Sequence, residues 1–68
     1  MRRKQPWSVD KEKFIQLMAE RGAGSSAEYL YNSVMKMHKL RKRYEDVIYH
    51  LTEVSHLSWS LAVQLIDR

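Results

Sequence analysis

Apolar residues fall into three stretches with helical spacing, separated by short polar breaks. In the first, Phe14, Ile15, Leu17 and Met18 recur at intervals of three and four, which lines one face of a helix. Ser8 stands at its start, where a hydroxyl can accept a backbone N–H of the first turn. Asp10 and Glu12 follow where the helix dipole favours negative charge. Trp7 precedes the cap, a position from which a large apolar residue packs back onto the helix. Arg21 and Gly22 supply the positive last turn and the terminal glycine that close a helix. The pattern predicts a helix over 8–21.

The second stretch is the longest. Ser25 and Glu28 have the spacing of a capping box. Neither Gly nor Pro interrupts the chain from Ser26 to Ser55. Met37, Leu40, Tyr44, Val47, Leu51 and Val54 follow one another at alternating intervals of three and four, a heptad pattern. Leu30 extends this seam, and Val34 and Ile48 widen it. One continuous helix over 26–55 is expected.

After His56 and Leu57, Ser58 can cap a third helix over 58–67. Trp59, Leu61, Ala62, Val63, Leu65 and Ile66 leave only Ser60, Gln64 and Asp67 as polar positions. A helix apolar on most sides is buried on most sides.

These elements give an all-α, three-helix domain with a long central helix. The two short helices cannot cover the whole central seam. A homodimer is therefore expected, in which the middle and last helices of two chains share a core. Leu40, Tyr44, Val47, Leu51, Trp59, Leu61 and Leu65 would form its interface.

Size sharpens that expectation. The 68 residues make one domain, over 8–68, preceded by a short basic arm over 1–7. A chain this small buries only about 60% of its unfolded surface and is marginal alone. It has no Cys, so disulfides and Cys-based zinc sites are excluded. The first residues lead into Gln5-Pro6-Trp7 and no apolar run, and no stretch has the length of a membrane span, so a cytoplasmic protein that keeps away from membranes is expected.

Charge carries the functional reading. The formal net charge is +4, with a sequence pI near 9.6. Lys36, Lys39, Lys42 and Arg43 cluster in the middle of the second helix, and Arg2, Arg3 and Lys4 make the arm. Several cations within reach of one phosphate backbone suffice for binding. A flexible basic arm beside a basic helix is a common layout in proteins that grip a duplex. The plain alternative is a solvated face balanced by Glu45, Asp46 and Glu53. A helix-turn-helix fits poorly, because the last helix has no Lys or Arg before Arg68.

Other chemistry finds little support. Glu53 and His56 have the Glu-x-x-His spacing of helical metal sites, but further carboxylates are not evident. Gly22-Ala23-Gly24 lacks the remainder of a phosphate loop, and no nucleophile signature is present. No catalysis, cofactor, metal or small-molecule substrate is expected. The leading expectation is a small regulatory or architectural factor that contacts nucleic-acid phosphates. The other is a protein-interaction module, an adaptor or inhibitor whose apolar helices dock on a larger protein.

Overall fold

The computed structural model describes residues 7–68, so the arm residues Arg2, Arg3 and Lys4 lie outside the described part. The elements are α1 (Lys11–Glu20), α2 (Gly24–Lys39), α3 (Tyr44–Tyr49), a π-helical segment (His50–Val54) and α4 (Trp59–Leu65). Among the described residues there are no strands, only an isolated antiparallel bridge between Ser8 and Asp67.

The all-α expectation holds, but the single central helix does not. It breaks after Lys39, and Arg41 takes a left-handed conformation with φ 60°. The N–H of Arg41 donates to the carbonyl of His38, and that of Lys42 to the carbonyl of Met37, at 3.1 and 3.0 Å. This is a Schellman ending, normally built on glycine. Gly22 ends α1 in the same way, with φ 78° and bonds from Gly22 to Ala19 and from Ala23 to Met18. His56, at φ 61°, ends the π-helical segment. There Leu57 N–H reaches back to Leu51, one residue further than in the other two turns, because the preceding helix is itself wider. Thr52 helps to set that width. Its hydroxyl donates to the carbonyl of Ile48, the oxygen an α-helical Thr52 N–H would use.

Two expected caps are corrected. Asp10, not Ser8, caps α1, its carboxylate accepting from the N–H groups of Glu12 and Lys13. Ser8 pairs with Asp67 instead, through two backbone hydrogen bonds of 2.7 and 2.8 Å. The second helix starts at Gly24 with Ala23 as its cap and no side-chain acceptor, so Ser25 does not act as a cap. Ser58 does cap the last helix, accepting from Leu61 N–H.

The break lets the seam fold onto its own chain. Trp7, Phe14 and Met18 meet Ala27, Leu30 and Val34 of α2, Val47 and Ile48 of α3, Leu51 of the π-helical segment, and Leu61, Ala62 and Leu65 of α4 in one core. Leu40 and Val54 drop out of the seam and are 62% and 57% exposed. Trp59 is 68% exposed. The expectation of a second copy rested on a seam too long to cover; Val47, Leu51, Leu61 and Leu65 are buried within one chain. No described helix is long and apolar enough to cross a membrane.

Candidate nucleic-acid interface

The chain carries no carboxylate between Glu28 and Glu45, while Lys36, Lys39, Arg41, Lys42 and Arg43 fall in that interval. α2 buries Ala27, Leu30 and Val34, which turns Asn32, Lys36 and Lys39 to the opposite, solvent side. Asn32, Met35, Lys36 and Lys39 line a shallow concavity there. The other three cations sit on the break that follows. The helical break therefore corrects the expected single basic stripe: Arg43 has left the helix and opens α3. Its backbone N–H is held by the Asp46 carboxylate at 3.2 Å.

All five side chains belong to exposed residues. Among the described residues, the one ion pair within 4 Å joins Lys13 to Asp67, at 2.8 Å. None of the five cations of the α2–α3 region takes part in that pair. Arg41, like His56, is a non-glycine residue held at positive φ. A non-glycine residue in the left-handed region costs about 1–2 kcal/mol, and such residues gather at sites of function.

Two other parts of the chain arrive at the same turn. Trp7 is buried, its indole N–H donates to the Lys42 carbonyl at 2.8 Å, and its ring meets His38 edge-on at 4.9 Å between centroids. The described chain thus begins against the basic turn. Arg2–Lys4 precede that anchor by three to five residues. The bridge at Ser8 brings the last residues to the same region. Neighbouring residues in extended backbone point to opposite sides. Asp67 accordingly reaches Lys13 on α1, while the Arg68 guanidinium lies over the Tyr44 ring at 4.6 Å, beside Arg43 in the chain. Arg68 has no sequence signal that joins it to the cluster; only the bridge does.

The expected interface residues are divided by the fold. Val47, Leu51, Leu61 and Leu65 are core, Tyr44 is half-buried beneath Arg68, and Leu40 and Trp59 face solvent. Elsewhere, Met18, Ala23, Leu30, Tyr29, Val54 and Leu57 line an open groove of about 360 Å³ together with Ser26, His50 and Ser55. Glu53 and His56 are both exposed, and no group of three or more His, Asp or Glu side chains suited to a metal ion occurs among the described residues.

Compared with known proteins, the chain matches no family model, no curated protein and no solved structure.

Proposed function

We propose that this protein binds nucleic acid as a small regulatory or architectural factor, gripping phosphates through the basic turn between α2 and α3. The observation that carries this reading is the acid-free interval from Glu28 to Glu45, with five exposed cations that have no carboxylate within 4 Å among the described residues. Lys36, Lys39, Lys42 and Arg43 are the principal contacts, joined by Arg41 at the apex of the break. Arg2, Arg3 and Lys4 are further phosphate contacts in this reading. Lys4 is three residues from the anchored Trp7, a contour of only about 10 Å. Most of these contacts go to backbone phosphate, which fixes orientation and carries little base readout.

Titration of a generic duplex at several salt concentrations tests the reading. Each neutralised phosphate contributes about −0.9 to the slope of log K against log salt. The triple variant Lys36→Gln, Lys39→Gln, Arg43→Gln should lose roughly 2 to 3 from that slope. Absence of binding at low salt, or binding indifferent to salt, would defeat the proposal.

The groove between the α1–α2 turn and the π-helical segment favours a second reading, a protein-interaction module. Tyr29 and Val54, both on its lip, are 74% and 57% exposed. Under that reading Val54→Asp abolishes capture of a partner and the lysine variants leave it unchanged.

A further inference from the structure

Tyr29, Tyr49 and Trp59 are the tyrosine and tryptophan rings open to solvent among the described residues, at 74%, 64% and 68% exposure. Their surroundings differ. Glu45 and Asp46 lie one turn before Tyr49, on its side of the helix. Trp59 opens α4, which has no Lys or Arg over Trp59–Leu65. Tyr29 alone of the three shares a helix face with cations. Asn32, Lys36 and Lys39 follow it at intervals of three, four and three, opposite the buried Ala27, Leu30 and Val34. Lys36 stands two turns beyond the ring, about 10 Å along the axis. Asn32, Met35, Lys36 and Lys39 line the shallow concavity on that stretch. Charge is graded along the same line. Glu28 precedes the ring, and no carboxylate follows until Glu45. A carboxylate beside the ring disfavours phosphate there but not an uncharged base.

We infer that single-stranded nucleic acid lies along this face of α2, with one base stacked on Tyr29 and neighbouring phosphates on Lys36 and Lys39. The inference rests on the nucleic-acid reading above and deepens it by naming the ligand form that uses the whole stripe. In a duplex the faces of the bases are covered by one another, so a ring fixed on a helix meets only the backbone, and the cations act alone. An unpaired base has a free face, and stacking on an aromatic side chain adds to the phosphate contacts with little regard to sequence. Asn32, between the ring and the cations, offers both a donor and an acceptor to a base edge.

The test measures binding of the full chain to a deoxythymidine strand of about 12 nucleotides, to the same strand paired with its complement, and to an abasic strand of equal length, each over a series of salt concentrations. Circular dichroism confirms that each variant is folded. Tyr29→Ala should weaken binding of the strand about tenfold and leave the duplex and the abasic strand unchanged. Its salt slope should not move, because stacking releases no counterions. Tyr29→Phe, which keeps the ring, should restore strand binding. Tyr49→Ala, the loss of an equally open ring beside carboxylates, should have no effect. Lys36→Gln should do the converse, reducing the slope by about 0.7 on the strand and about 0.9 on the duplex. No loss from Tyr29→Ala, an equal loss on strand and duplex, or the same loss from Tyr49→Ala would overturn the inference and leave the nucleic-acid reading intact. Binding of the duplex alone would do the same. Failure of the full chain to bind any of the three would overturn both.

Discussion

The indole N–H of Trp7 donates to the carbonyl of Lys42, 35 residues away in sequence, at 2.8 Å. One side chain thus joins the first described residue to the break between α2 and α3. It fills the core with its ring and satisfies a turn carbonyl with its nitrogen. The two roles separate by substitution. Trp7→Phe keeps most of the packing and should cost about 1 kcal/mol for the lost hydrogen bond. Trp7→Ala should cost about 3–5 kcal/mol, most of the stability available to a domain this small. Urea midpoints at unchanged slope would measure both. Equal losses would mean that the ring contributes no packing.

Arg41 sits where glycine normally ends a helix. Arg41→Gly should raise stability by about 1 kcal/mol by relieving the left-handed backbone. It should at the same time weaken duplex binding and remove about 0.9 from the salt slope. Gly22→Ala provides the mirror experiment. A Cβ there would meet nothing within 4 Å, so its cost of about 1 kcal/mol would be purely conformational. Stability and binding moving together in Arg41→Gly would contradict a functional reason for arginine at this position.

The caps make a separate set. Ser58→Ala and Asp10→Ala each remove an acceptor for first-turn N–H groups, and each should cost about 1 kcal/mol. Ser25→Ala should change little, because Ser25 lies within the first turn of α2 and caps nothing. Thermal unfolding of the three variants checks the contrast.

Burial of Val47 and Leu51 within one chain gives an expectation for assembly. Light scattering should return the 8.2 kDa of a single chain. Leu51→Asp should unfold the protein at every concentration, since a charge placed in the core has no partner. A dimer mass, with Leu51→Asp giving a folded monomer, would restore the two-copy arrangement.

The last helix, its Ser58 cap and the Gly22 ending were legible because each follows local chemistry. So were the core positions Phe14, Met18, Leu30, Val34, Val47 and Leu51, since helical spacing marks them whether or not the helix is continuous. The break at Arg41 was not legible. No Gly or Pro announces it, and the heptad runs straight through it. What decides is tertiary: a broken seam covers itself, while an unbroken one leaves Val47 and Leu51 without a partner in their own chain. The expected caps at Ser8 and Ser25 were misplaced because both helices start elsewhere, α1 at Lys11 and α2 at Gly24. The first-turn N–H groups are those of Glu12 and Lys13, which Asp10 reaches, and Ser8 has a backbone partner at the far end of the sequence. Among the basic residues, the cluster at Lys36–Arg43 was visible as composition. Arg68 was not, because proximity to Tyr44 depends on that same distant pairing.

The Ser8–Asp67 bridge closes a loop of nearly the whole chain. Closure of so long a loop carries an entropic cost that grows only slowly with its length. Trp7 and Ile66, which flank the bridge, are both buried in the core and hold it in place. A polyanion that grips the basic turn, the arm and Arg68 together would hold the ends shut. Hydrogen exchange at Ser8 and Asp67 would then slow on binding, tying the pairing of two residues 59 positions apart to the encounter with a ligand.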